Sequence, residues 1–228
     1  MTGNDRDVVV VSGPDTWTFL QSLLSQDVAR LADGEHLPTL LLTPQGKVQV
    51  AGGVRRFGDD AVLDTDPGWG EVLAVALARY RIRTKVEIEV REAVTVSAET
   101  AATHERQRIE AGVPRMGLEL DDSVIPQEAF LERDAVSFTK GCFVGQELVC
   151  RIDTRGHVNR FLRHVRSDDA SLVLPLHAEI VVGGKVVGTV TSSVPGLALG
   201  YVRREVDPPT SGTVEGAPVT VIALPDRA

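Results

Sequence analysis

The pattern of short strands after about Phe161 constrains the fold most. Four β-prone runs follow one another there, separated by turn residues, at 179–182, 185–191, 197–202 and 218–224. Gly183 and Gly184 form a two-residue loop of the kind that suits a tight hairpin turn. Short strands at regular spacing predict a small closed β-barrel at the C-terminal end of the chain.

The first two thirds of the chain mix strand and helix patterns, which indicates an α+β protein. Apolar residues recur at helical spacing from Trp17 to Leu31, and Asp33-Gly34 ends this stripe, which predicts one long helix. Further strands are predicted at 7–12, 37–43, 48–57, 61–63 and in two runs over 85–97, with helices at 70–82 and 99–111. The succession between about 44 and 99 predicts a small α+β sandwich.

Composition excludes several functional classes. The 228 residues include 24 Lys and Arg against 32 Asp and Glu, a net charge of −8 that argues against binding nucleic acid or anionic membranes. There is no apolar run long enough to span a membrane and no secretory signal pattern. Only two cysteines are present, which favours a reduced, cytoplasmic setting. Two cysteines alone cannot hold an iron–sulfur cluster, which normally takes four thiolates. No metal-ligand spacing is found, so no metal site is expected.

One segment, 140–166, is basic within this acidic chain. It carries six Lys or Arg residues and two acidic ones, a net charge of +4. Such an island predicts an anionic small ligand. The alternative is that these arginines form ion pairs between domains, because arginine is common at buried interfaces.

The island begins with the sequence KGCFVGQE at 140–147. Gly141 and Gly145 allow a sharp turn or a close approach of the backbone to a ligand. Lys140 and a helix predicted to start near Gly145 would favour the thiolate form of Cys142. The alternative is that Cys142 is a small buried apolar residue, which is the usual environment of a free cysteine.

This stretch resembles the K-G-C-[FY]-x-G-Q-E signature of the YgfZ-type folate-binding proteins, relatives of the aminomethyltransferase (T-protein) of the glycine cleavage system. The continuation RIDTRGHVNR at 151–160 is similar to that of the family. Shorter matches extend over most of the chain: FLQSLLSQDV at 19–28, LLTPQGKV at 41–48, RIEAGVPRMG at 108–117, PQEA at 126–129, and GTVTSS and ALGYV within 188–202.

The resemblance implies a three-part, ring-like fold with a central opening for a folate. The first part would be a discontinuous folate-binding domain, 1–43 with 100–157. The second would be a ferredoxin-like insertion, 44–99, and the third the β-barrel, 158–228. The residue patterns alone do not reveal the discontinuity.

The resemblance also assigns residues. Glu110 would contact the pterin, because a carboxylate can accept both N–H groups of its 2-amino edge; the alternative is a solvated helix residue. Arg155 and Arg160 would bind the glutamate tail of tetrahydrofolate or a one-carbon derivative, and His157 would also belong to the folate site. Cys142 and Lys140 would carry the chemistry, while Gln146 and Glu147 would fix the loop by hydrogen bonds.

The function that follows is a tetrahydrofolate-binding accessory protein for making or repairing iron–sulfur enzymes, which would be its partners. Glycine-derived aminomethyl transfer is not expected, because the stretch 47–53 lacks the carboxylate that aminomethyltransferases place after the Thr-Pro-x-Gly turn. Two alternatives stay open: a folate-dependent one-carbon transferase, with His157 as its acid/base group, and a non-catalytic folate-binding protein.

Overall fold

The computed structural model describes residues 6–91 and 98–226 and confirms an α+β protein. The described chain divides into two compact units. The first unit takes in residues 6–91, 120–127 and 131–156, and the second takes in 98–119, 128–130 and 157–226. Both units are therefore assembled from segments that are distant in sequence.

The first unit is built on a five-stranded antiparallel sheet with the order β2-β3-β4-β1-β5. Leu20 of α1, Leu77 of α2 and Leu63 of β4 are nearly inaccessible to solvent and belong to one apolar core. The elements are β1 (Asp7–Ser12), α1 (Thr16–Leu23), β2 (His36–Leu42), β3 (Val48–Phe57), β4 (Asp60–Thr65), α2 (Gly70–Ala78), β5 (Glu87–Arg91), α4 (Glu132–Ala135) and α5 (Gln146–Arg155).

The second unit contains a closed six-stranded barrel with the strand order β10-β11-β6-β9-β8-β7, in which β7 also pairs with β10. Its apolar core includes Val165, Ile180 and Ala198. The elements are α3 (Ala98–Glu110), β6 (Arg160–Ser167), β7 (Glu179–Val182), β8 (Lys185–Val194), β9 (Leu197–Arg203), β10 (Thr210–Val214) and β11 (Ala217–Ile222). The predicted C-terminal barrel is confirmed.

The helix predicted from Trp17 to Leu31 is shorter in the structure. It ends at Leu23, because Leu24 has an extended backbone (φ −77°, ψ 147°) and pairs with Leu41. The side-chain oxygen of Gln21 then accepts hydrogen bonds from the backbone N–H groups of the next turn, at residues 28 and 29. Leu20, Leu24, Val28 and Leu31 of the predicted stripe are nevertheless buried, and Trp17 is partly buried. The apolar pattern therefore predicted burial better than it predicted helical conformation.

Two strands, β6 and β10, were not separately predicted, and part of the predicted strand pattern at 85–97 lies outside the described residues. The strands β1 and β2, which the family resemblance places in the first part, lie in one sheet with β3, β4 and β5, which it places in the second. The three-part division stays a prediction.

Among the described residues, no helix combines the length and apolarity that crossing a membrane requires.

Candidate functional site

The loop that precedes α5 is anchored by Lys140. The Lys140 Nζ donates hydrogen bonds to the backbone oxygens of Gln21, Leu24 and Gln26 at 2.8, 2.7 and 2.8 Å. These oxygens lie in the last turn of α1 and in the residues just after it, where carbonyl groups lack helical N–H donors and favour a cation. Burial lowers the pKa of Lys140 to about 8, although the negative charge of Asp27 acts in the opposite direction. Lys140 therefore fixes the loop to α1.

This arrangement predicts a pH dependence of stability. In the unfolded chain Lys140 holds its proton up to its ordinary pKa of 10.5, and in the folded chain only to about 8. Between these values the unfolded chain binds more protons, so Lys140 makes the free energy of unfolding rise with pH. Urea unfolding measured from pH 7 upward gives the free energy of unfolding of wild type and of Lys140→Met. The value for wild type minus the value for Lys140→Met should grow across this pH window. A difference that stays constant or falls would contradict the assignment.

The other end of the loop is closed by Gly145 and Gln146. Gly145 has a φ of +79°, and a Cβ atom there would lie 2.4 Å from the oxygen of Thr43, so only glycine fits. The backbone N–H of Gln146 donates to the oxygen of Phe143 at 3.3 Å, and the Phe143 N–H donates to the Gln146 Oε1 at 2.9 Å. Glu147 follows in the first turn of α5 and is exposed.

Cys142 lies between these two anchors with its side chain exposed. It lines a cavity of about 330 Å³ in the first unit, together with Trp17, Gln21 and Gly141. A Cβ atom added to Gly141 would meet no atom within 4 Å, so the space around this glycine is open. The structure thus places Cys142 at the surface and beside a cavity, rather than in an apolar core.

The second cysteine differs in its environment. Cys150 lies on α5 and is only partly exposed. Burial, followed by the nearby negative charge of Asp153, raises the pKa of the Cys150 thiol. Both effects disfavour the reactive thiolate, so Cys150 serves as the matched control for Cys142.

Glu110 lies in the second unit, at the end of α3, and is exposed. Its Oε1 is 3.1 Å from the Nη1 of Arg106, one helical turn earlier. Both residues line a cavity of about 630 Å³ that also contacts His164 and Arg166 of β6. This volume lies within the range of small-molecule sites, and the mixed charges suit a ligand with both donor and anionic groups.

His164 fixes the end of α3 at this cavity. Its Nε2 is 2.6 Å from the backbone oxygen of Ile109, and because a carbonyl oxygen only accepts, the Nε2 carries the hydrogen. Burial lowers the pKa of His164; the hydrogen bond to Ile109 acts in the opposite direction, and the charge of Arg166 lowers the pKa further. His164 is therefore a neutral positioning residue that holds Glu110 at the cavity.

The other predicted folate residues lie elsewhere. Arg160 forms an ion pair with the buried Glu128, Nε to Oε1 at 3.2 Å, and its guanidinium lies 4.3 Å from the centre of the Tyr201 ring. Arg155 is exposed at the end of α5 in the first unit, and His157 is exposed in the second. Neither these two nor Arg160 lines the Glu110 cavity, and their folate roles stay predictions.

A buried polar network in the second unit was missed by the sequence analysis. The fully buried carboxylate of Glu119 accepts hydrogen bonds from the Arg108 Nη1 at 2.9 Å and the Ser192 Oγ at 2.5 Å. Tyr201 donates to the backbone oxygen of Glu119 at 3.0 Å. The network ties α3, which carries Glu110, to β8 and β9 of the barrel. In the described part of the chain, no cluster of His, Cys, Asp and Glu could hold a metal ion.

No protein-family model matches the chain, but individual proteins and solved structures are similar to it. The chain is 30% identical to an aminomethyltransferase of Streptomyces avermitilis, over 97% of this chain but only 61% of the length of that protein. It is 25% identical to the tRNA-modifying protein YgfZ of Klebsiella pneumoniae, over 71% of this chain and 69% of that protein.

Among solved structures, the glycine cleavage system aminomethyltransferase T from Bartonella henselae is similar in fold. The TM-score is 0.83 at 16% sequence identity, and the match covers 98% of this chain and 84% of that protein. The resemblance that the KGCFVGQE motif indicated is confirmed at the level of fold. The chain is therefore a relative of the YgfZ-type proteins and the aminomethyltransferases, and it has the T-protein fold.

Proposed function

We propose that this chain is a tetrahydrofolate-binding accessory protein that supports the synthesis or repair of iron–sulfur enzymes, with Cys142 as its reacting residue. The observation that carries the proposal is the position of Cys142. Its thiol is exposed beside a cavity, on a loop that Lys140 and Gln146 hold at both ends. Such a fixed, accessible sulfur is suited to transient chemistry with a partner, whereas a structural cysteine is usually buried.

The thiolate of Cys142 would handle a one-carbon or sulfur-bound adduct, or contact the cluster of a client enzyme transiently, since thiolates are the ligands that iron–sulfur clusters use. Lys140 contributes by positioning. Its ammonium group holds the loop to α1 through three carbonyl oxygens and brings a positive charge to the loop that carries Cys142.

The Glu110 cavity supports the folate part of the proposal. A carboxylate there can accept the paired N–H donors of a pterin, and the volume of about 630 Å³ is adequate for a ligand of this class. When bound, the folate would supply a carrier for one-carbon groups. Glycine-derived aminomethyl transfer is not proposed, because residues 47–53 contain no carboxylate to support it.

The name of the Klebsiella relative links that protein to tRNA modification. The net charge of −8 in this chain disfavours direct binding of a polyanion such as tRNA. We therefore propose that any effect of this chain on tRNA is indirect, through the enzymes whose clusters it supports.

Calorimetric titration of the purified protein with 5-formyltetrahydrofolate tests the folate part. Wild type should bind, and Glu110→Gln should weaken binding by about 10- to 100-fold, because a charge-assisted contact is lost. Glu205→Gln removes a glutamate that is 62% exposed and should leave the affinity unchanged. Absence of binding to wild type would contradict the proposal.

A further inference from the structure

The arginines of the basic island differ in what they contact. Arg160 is paired with Glu128, and Arg163 lies over the rings of Phe130 and Phe161, with its guanidinium carbon 5.4 and 4.9 Å from their centres. These two cations therefore contribute to packing within the second unit. They are poorly placed to provide a free charge for a ligand.

Arg166 lies on the same strand, β6, but its side chain has a different environment from those of Arg160 and Arg163. Its side chain is exposed, lines the Glu110 cavity, and forms no ion pair or hydrogen bond with any residue in the described part of the chain. The other charged groups of the cavity, Arg106 and Glu110, already contact each other. The guanidinium of Arg166 is thus the cavity cation that is free to bind an incoming anion.

Arg106 is held in place on two sides. Besides the ion pair with Glu110, its Nη2 donates to the backbone oxygen of Pro195 at 3.1 Å, in the turn between β8 and β9. With Arg166 it gives the cavity two positive charges against the one negative charge of Glu110. Leu197 and Ile222 add apolar wall at the neighbouring strands β9 and β11, which pair with β6.

Together these groups define a ligand by its chemistry. It must present N–H donors to Glu110, an apolar body to Leu197 and Ile222, and a negative charge to Arg166. We infer that Arg166, and not Arg155 or Arg160, binds the carboxylate tail of the folate in the Glu110 cavity, and that Arg106 orients Glu110 for the pterin. This inference rests on the proposed folate function.

Calorimetry with Arg166→Gln tests the inference. The variant should bind 5-formyltetrahydrofolate about 10- to 100-fold more weakly than wild type, since a charge-assisted hydrogen bond is lost. Its affinity for 6-hydroxymethylpterin, which has no carboxylate tail, should equal that of wild type. Arg203→Gln, which removes an arginine that is 64% exposed, is the matched control and should change neither affinity.

The possible failures are distinguishable. If wild type binds 5-formyltetrahydrofolate and Arg166→Gln binds it equally well, the role of Arg166 is overturned and the folate proposal stands. The same follows if Arg166→Gln loses affinity for the tail-less pterin to the same extent. If wild type binds no folate at all, the folate proposal itself fails. Guanosine monophosphate has the same N–H edge and carries a phosphate. If it displaces bound folate at a lower concentration than 5-formyltetrahydrofolate does, the assignment of the cavity to a folate is overturned.

Discussion

A strain depleted of this protein and supplied with Cys142→Ser is expected to show iron–sulfur enzyme activities no higher than those of the depleted strain itself. A serine hydroxyl keeps the size of the side chain but does not ionise near neutral pH, so it replaces neither a nucleophilic thiolate nor a cluster ligand. Because Cys142 is exposed, the substitution leaves the packing of the first unit intact. The activities of two or more iron–sulfur enzymes in cell extracts are the readout.

Cys150→Ser is the control in the same strain, because Cys150 is partly buried and its thiol is disfavoured as a thiolate. This variant should restore the activities as wild type does. Equal protein levels are verified by immunoblotting. Full restoration by Cys142→Ser would eliminate the thiolate role and leave a folate-binding protein whose cysteine is not needed.

The second large effect is expected from Glu119→Ala. Its carboxylate has no exposed surface and accepts bonds from Arg108, Ser192 and the backbone N–H of Arg115. Removing the carboxylate leaves the Ser192 hydroxyl and the Arg115 N–H without this acceptor, whereas Arg108 keeps its ion pair with Glu105. Because hydrogen bonds to a buried charged group are lost, the free energy of unfolding should fall by about 2–4 kcal/mol. Urea unfolding followed by circular dichroism measures this loss.

The matched control for this change is Glu205→Ala. Glu205 forms an exposed pair with Arg203 at 3.8 Å, and such pairs contribute about 1 kcal/mol or less. If Glu119→Ala proves as mild as this control, the buried network is not what holds α3 to the barrel strands. The folate site would then need a different explanation for how Glu110 is positioned.

The barrel, the strands of the first sheet and the start of α5 could be predicted because they depend on local pattern. Alternating apolar residues, the two-glycine turn and the glycine before a helix act over a few residues. The early end of α1 could not be predicted, because it depends on Leu24 pairing with Leu41, and on Gln21 bonding to the next turn. These contacts join segments that the periodicity of one helix does not report.

The candidate site shows the same limit. The KGCFVGQE motif points to Cys142 as the candidate reacting cysteine, but only the structure shows it exposed beside a cavity. The sequence does not distinguish Arg160 from Arg166, because both are arginines of the same basic segment, six residues apart. Arg160 pairs with Glu128, which comes from a distant segment, whereas the side chain of Arg166 lines the Glu110 cavity. No spacing rule could have separated them.

The proposed role of Cys142 requires that its sulfur be accessible in the folded protein, and the rate of alkylation measures this accessibility. The native protein is treated with iodoacetamide, and peptide mass spectrometry follows labelling at both cysteines. Cys142 should label much faster than Cys150, at a rate that does not change when mild urea promotes local opening. If Cys142 labels only as the protein unfolds, the thiol is protected in the fold and the proposed role of Cys142 is contradicted.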